Sequence, residues 1–337
     1  MRLKPRILNL ALQGGGAHGA FTWGVLDALL ADEGLNYEGL SGSSAGALNA
    51  VLFAEGWRIG GREGARKALA AFWAELGRQV PFELFITGQG ESVALSTSSR
   101  LLMKWAGRFS PEQINPMDRS PLRDLLLSHV DFEALRAASP FKLFLGATQA
   151  NTGKLRVFRE HEVSVDVLLA STCLPQLHRA VKIDGEAYWD GGFAANPPMF
   201  PLFYGCESPD LMLVLLSPLR HEAEPKSAHA IAERALELAF SANFMQEMRM
   251  FLEAVTLARS SWLPSGGLER RLRKSRFHMI SAQGIGSMHR TETKLIAHWP
   301  FLEFLHDQGR ERADAWRSQH ASAVGRNSSA NLRDWFG

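Results

Sequence analysis

An α/β fold with a mostly parallel central sheet is what this sequence predicts, and three stretches predict it. Arg6–Leu12 is an apolar run of strand length. A glycine loop over 13–19 follows, then a helical pattern over 20–30 with Phe21, Val25, Leu26, Leu29 and Leu30 on one side. Residues 36–40 lead through Ser41-Gly42-Ser43-Ser44-Ala45-Gly46 into a buried helical run over 45–54, a second strand–turn–helix unit. Residues 211–216 are short and unbroken in their apolarity, as expected of a strand covered on both faces.

Composition bounds the function. The 337 residues suffice for one large α/β domain, and 46% hydrophobic against 21% charged residues is a globular balance. A net charge of +2 leaves no electrostatic footprint for nucleic acid. No apolar run reaches the length that crosses a bilayer. The basic residues 1–6 lead into a stretch broken by Gly14, Gly15 and Gly16, so no signal peptide is read. Cys173 and Cys206 are the only cysteines, which suits a reducing compartment. A cytoplasmic location is expected, with signal-less secretion left open. No metal-ligand spacing is present, and no cofactor is expected.

The remaining elements follow in order. Helical patterns cover 47–54 and 63–76. Between Val80 and Asp118 periodicity is lost, while Phe82, Leu84, Phe85, Ile86, Leu101, Leu102, Met103 and Trp105 stand among glycines and serines. So long a stretch is expected to be partly helical or functional: an apolar cover, a surface that dips into lipid, or an insertion packed on the body. Ser120-Pro121 and Asp131 open helices as caps. Residues 141–150 and 155–160 read as one hairpin. Residues 181–183 and 187–189 read as another, whose second arm runs into Asp190-Gly191-Gly192. A short helix is expected over 163–170, a long one over 228–259 and a last strand over 277–281. The basic run 269–276 reads as a solvated face or as one drawn to anionic lipid. Beyond it, polar helical sequence is expected to sit outside, with a disordered tail after His320.

Ser44 sits at the centre of a G-x-S-x-G pattern. On a sharp strand-to-helix turn its hydroxyl projects outward, and the helix N-terminus behind it favours negative charge. The loop of Gly14, Gly16 and Gly19 satisfies G-x-G-x-x-G as well. No acid stands where a dinucleotide site needs one, so an oxyanion loop fits better. A serine needs a base. One arrangement is a triad of Ser44, Asp190 and a later His278 or His289; the other has Asp190 accept the proton directly. Ser44 follows only the second strand, which weighs against the hydrolase fold that carries such triads.

These motifs resemble the patatin-like phospholipase family. The resemblance rests on Gly14-Gly15-Gly16-Ala17-His18-Gly19, on Gly42-Ser43-Ser44-Ala45-Gly46 and on Asp190-Gly191-Gly192, in that order. Ser171-Thr172-Cys173-Leu174-Pro175 and Asn196-Pro197 resemble its supporting motifs. It implies a three-layer α/β/α patatin-like fold, read here as one domain over 1–337. The motif-bearing core covers about 7–217, a mainly helical extension 226–320 and the tail 321–337. It implies Ser44 as nucleophile, Asp190 as general base and the N–H groups of Gly14, Gly15 and Gly16 as oxyanion hole, without a catalytic metal. The substrates implied are acyl esters of phospholipids, lysophospholipids or related lipids, with peripheral membrane contact an expectation. One departure stands out: the family usually carries Arg or Lys where this chain has His18, which makes His18 a candidate modulator of pH behaviour. An acyltransferase or thioesterase using Ser44, and a non-catalytic nucleotide- or anion-binding protein, are the alternatives. Oligomeric state is not legible.

Overall fold

The computed structural model describes residues 6–79, 82–221, 224–260 and 266–337. Residues 1–5 and Val80, where the irregular stretch was expected to begin, lie outside them. Ten strands form among the described residues: β1 (Arg6–Leu12), β2 (Leu35–Ser43), β3 (Ile86–Thr87), β4 (Ala94–Leu95), β5 (Lys142–Gln149), β6 (Leu155–Arg159), β7 (Val181–Ile183), β8 (Glu186–Asp190), β9 (Asp210–Leu215) and β10 (Arg276–Ser281). The main sheet has the order β10-β9-β1-β2-β5-β8-β7, with β6 also on β5. The pairs β10–β9, β9–β1, β1–β2 and β2–β5 are parallel. From β1 the chain grows to β2 and β5 on one side, then returns to β9 and β10 on the other. The strand ends beside β1 therefore border a topological switch, where α/β sheets open a crevice.

Strand periodicity makes the layers. Leu8, Leu10, Leu12, Met212, Val214 and Leu145 point into one core, with the helices α1 (Gly19–Leu30) and α2 (Ala45–Leu76) and the helix Trp299–His320. Ala11, Leu211, Leu213, Leu215 and Phe144 point into the other, with the helix Ala228–Ser260. A sheet buried on both faces reads as continuous apolar runs.

Two expectations need correction. The sequence beyond the expected last strand does not sit outside: Phe301, Leu302, Leu305, Ala313 and Trp316 of the helix Trp299–His320 are buried. Its backbone approaches α1 so closely that a side chain at Gly24 would strike the His306 carbonyl, and one at Gly309 the Phe21 carbonyl. The residues after His320, expected as a disordered tail, return to the second core through Leu332 and Phe336.

The irregular stretch resolves into short pieces. A two-residue ladder β3–β4 is followed by α3 (Thr97–Ala106), capped by Ser96, and by the single turn Pro111–Ile114.

Candidate active site

Two strands meet head-on at the site. Gly42 and Ser43 of β2 lie opposite Leu145 and Gly146 of β5, and Asp190, last in β8, lies opposite Ala147. Since β6 fills the other edge of β5 over 144–148, β2 and β8 share one edge and run towards each other. Ser44 and Asp190 are what their ends deliver.

Ser44 holds φ 54° and ψ −128°, a backbone state that side chains rarely adopt. Its N–H donates to Ser171 Oγ at 2.9 Å, and that hydroxyl donates to the Gly146 carbonyl at 2.7 Å. Ser43 Oγ donates to the Ala195 carbonyl at 2.7 Å. The turn is thus tied to three other segments, which is how a strained conformation is held.

Asp190 is 1% exposed. Its N–H donates to the Cys173 carbonyl at 2.8 Å, and its own carbonyl accepts from Thr148 Oγ1 at 2.8 Å. Its carboxylate accepts from Gly192 N–H at 2.7 Å, and the Ser44 hydroxyl faces it closely enough to lower its pKa. Burial pushes its pKa up to about 7; the bond from Gly192, the Ser44 hydroxyl and the charge of Lys294 pull the other way without cancelling it.

The glycine loop lies beside Ser44 because β1 and β2 end together, Leu12 opposite Gly42. A side chain on Gly14 would collide with the Ser43 carbonyl and lie 2.6 Å from Ser44 Cβ. The expectation that Gly14 N–H faces an oxyanion needs correction. It donates to Asn196 Oδ1 at 2.6 Å, while Asn196 Nδ2 donates back to the Gly14 carbonyl at 3.2 Å. Asn196 therefore shapes the loop by occupying Gly14. The N–H groups of Gly15 and Gly16 have no acceptor among the described residues.

His18 is fully buried. Its Nε2 lies 2.8 Å from Thr293 Oγ1, whose single proton is directed to the Ser287 and Arg290 carbonyls, both at 2.7 Å. Thr293 must then accept at His18, which fixes the Nε2–H tautomer. His18 Nδ1 has no partner among the described residues, and burial, then the charge of Lys294, holds the ring's pKa well below its ordinary value. Burial thus disfavours the imidazolium, which weighs against His18 as a modulator of pH behaviour.

Neither candidate histidine base reaches the pair. His278 is buried among Asp210 and Ser329 near the strand starts, at 3.1 and 2.9 Å, three strands from β2. His289 is exposed and stacks edge-on to His221 with centroids 5.8 Å apart. The basic run lines a groove with Phe203, Arg270, Arg271, Lys274 and Arg276, also at the strand starts and away from Ser44.

Residues missed from sequence complete the surroundings. Lys294 belongs to the short turn Thr291–Leu295, and a side chain on Gly16, at φ 58°, would strike the Lys294 carbonyl. No spacing rule joins residue 294 to residue 16. Among the described residues no group of three or more His, Cys, Asp or Glu stands where it could hold a metal ion.

The family model for patatin-like phospholipases matches residues 10–203, more than half of the chain. The chain belongs to the patatin-like phospholipase family. That membership carries lipid acyl hydrolysis as the general activity, and Ser44, Asp190 and the glycine loop all fall inside the matched residues. No curated protein matches the chain in sequence. Among solved structures, VipD from Legionella pneumophila is 15% identical, with 93% of this chain and 67% of that one covered at a TM-score of 0.42. The patatin-like match stops at 203, so β9, β10 and Lys294 lie beyond it.

Proposed function

We propose that the protein is a serine acyl hydrolase of phospholipids, lysophospholipids or related acyl esters, working through a Ser44–Asp190 dyad. The observation that carries this reading is the Ser44 hydroxyl facing a buried carboxylate whose pKa is raised to about 7, with no histidine on either group among the described residues. A carboxylate of ordinary basicity is a poor acceptor for a serine proton; burial narrows that gap. Ser44 Oγ adds to the ester carbonyl as its proton passes to Asp190. The carbonyl electrons move onto oxygen, facing the unpaired N–H groups of Gly15 and Gly16. Collapse expels the alcohol, which takes the proton from Asp190. Water, deprotonated by Asp190, then releases the fatty acid by the same sequence.

The lipid surface meets the strap over 97–117. Leu101 is 70% exposed, Trp105 57% and Met117 75%, and Leu102, Phe109 and Ile114 are exposed beside them. Lys104 and Arg108 stand exposed among these apolar groups, a pairing suited to a bilayer with anionic headgroups. Two ties hold the strap to the body. Arg100 makes a bidentate pair with Glu292 at 2.8 and 2.9 Å on one side, and Arg179 donates to the Asn115 and Pro116 carbonyls at 3.1 and 3.3 Å on the other.

An active-site-directed fluorophosphonate is expected to label Ser44 alone, and Ser44→Ala to abolish labelling and hydrolysis of a short-chain nitrophenyl ester. Most of the activity surviving in Ser44→Ala would end this reading.

A further inference from the structure

We infer that Lys294, from outside the family-matched residues, is a catalytic residue of this site: its ammonium faces the substrate's carbonyl oxygen above Gly15 and Gly16 and takes up part of the charge that develops there. The inference rests on the Ser44–Asp190 reading.

Three observations carry it. The turn Thr291–Leu295 is packed on the glycine loop: Thr293 accepts from His18 Nε2 at 2.8 Å, and Lys294 Cβ lies 3.5 Å from where a side chain on Gly16 would begin. Glycine at 16 is what lets this segment come so close. Second, Lys294 is half-buried and burial lowers the pKa of its ammonium, yet the group has no hydrogen bond and no ion pair among the described residues, and the charges of Glu237 and Asp190 act to keep it protonated. Glu237 is already engaged by His221 at 3.0 Å and Arg234 at 2.9 Å. A cation left unpaired beside a general base is available to a substrate anion. Third, His18 is neutral and turned away from the loop towards Thr293, so no charge reaches the oxyanion from within the loop itself.

The charged or titratable groups around Lys294 are Asp190, Glu237 and His18 on the facing elements, and Arg290 and Glu292 on its own segment. The charge of Lys294 lowers the pKa of Asp190, so removing it raises that pKa further and moves the acid limb of the rate profile to higher pH.

The test compares Lys294→Met, Lys294→Arg and Glu237→Gln with wild type on a neutral short-chain nitrophenyl ester, after circular dichroism and thermal melting. A neutral ester removes any contribution from binding a phosphate headgroup. We expect Lys294→Met to lower kcat by roughly 10- to 100-fold with KM within about threefold, and Lys294→Arg to keep about a third of wild-type kcat or more. The acid limb of Lys294→Met should lie above that of wild type, and Glu237→Gln should keep kcat within about threefold. The inference is overturned if Lys294→Met keeps wild-type kcat, if the loss lies in KM, if arginine fails to restore turnover, or if Glu237→Gln is equally slow, which would make Lys294 a tie to the long helix. Should Lys294→Met melt early, Lys294→Ala with added propylammonium decides: dose-dependent recovery of kcat supports the inference and its absence defeats it. A wild-type protein that hydrolyses no ester and takes no phosphonate sinks the hydrolase reading and this inference together, whereas an active wild type with an indifferent Lys294 sinks only this one.

Discussion

Ser44 keeps its φ of 54° against a cost of ~1–3 kcal/mol for a residue with a side chain. Ser44→Gly should therefore be inactive yet more stable than Ser44→Ala by about 1 kcal/mol, read as a higher unfolding midpoint. Equal midpoints would mean that the turn is relaxed. Asp190 makes a second prediction. Its pKa is near 7 in the fold against an ordinary 3.8, so between these values the unfolded chain has lost a proton that the native protein keeps. Stability then falls as pH rises through that window, by about 1.4 kcal/mol for each pH unit crossed, and stays lowest above it. Asp190→Asn should abolish hydrolysis while unfolding later than wild type at pH 8, and no later at pH 3. Activity runs the opposite way, since the base must be ionised: kcat/KM should rise to a plateau with a midpoint near 7. His289→Ala should leave that midpoint in place; its disappearance would return the base to a histidine.

At the scale of the element, the strap and the loop fail differently. Trp105 and Phe109 meet edge-on at 4.8 Å in the open, whereas Phe82 packs on the first core. Trp105→Ser with Phe109→Ser should weaken sedimentation with vesicles containing phosphatidylglycerol, in a Ser44→Ala background, and leave hydrolysis of a soluble ester intact. Phe82→Ser should instead lower the melting temperature and both activities. Concentration-dependent dimerisation lost with the double substitution would assign the patch to a second copy of the chain. Ser171→Ala strips a hydroxyl that satisfies both the Ser44 N–H and the Gly146 carbonyl. It should cost about 1–3 kcal/mol in chemical denaturation and reduce kcat, because the elbow is no longer held.

At the scale of the molecule, the family-matched stretch is expected not to fold alone. Residues 10–203 lack β9 and β10, which cover one side of β1, and lack the helix Trp299–His320 against α1. Ending the chain after residue 217 should leave α1 with an open apolar face and give no cooperative unfolding transition by circular dichroism. A truncated chain that melts cooperatively would show the C-terminal region to be an addition. His18→Arg belongs to this scale too. His18 is buried against Phe301, with ring centroids 6.5 Å apart, and against Thr293, so a guanidinium there should destabilise the fold.

Local pattern was enough for the fold class and for proposing the two central side chains. Apolar runs of strand length fixed β1, β9 and β10, and turn chemistry fixed both hairpins. A serine between small residues after a strand marked the elbow, because the constraints on such a turn are local. What depends on distant segments could not be read. Gly14 looked like an oxyanion donor until Asn196, a remote residue in sequence, took its N–H. His18 looked titratable until its burial against Thr293 removed the water that an imidazolium needs. Lys294 carried no motif, and the tail after His320 looked too polar to pack. The basicity of Asp190 belongs with these: an Asp-Gly-Gly in sequence has an ordinary carboxyl, and only closure of the sheet around it withholds solvent and raises its pKa to about 7. Sequence determined which groups are present and in what order; desolvation and long-range hydrogen bonding, which exist only once the chain has closed, decided their charge and their partners.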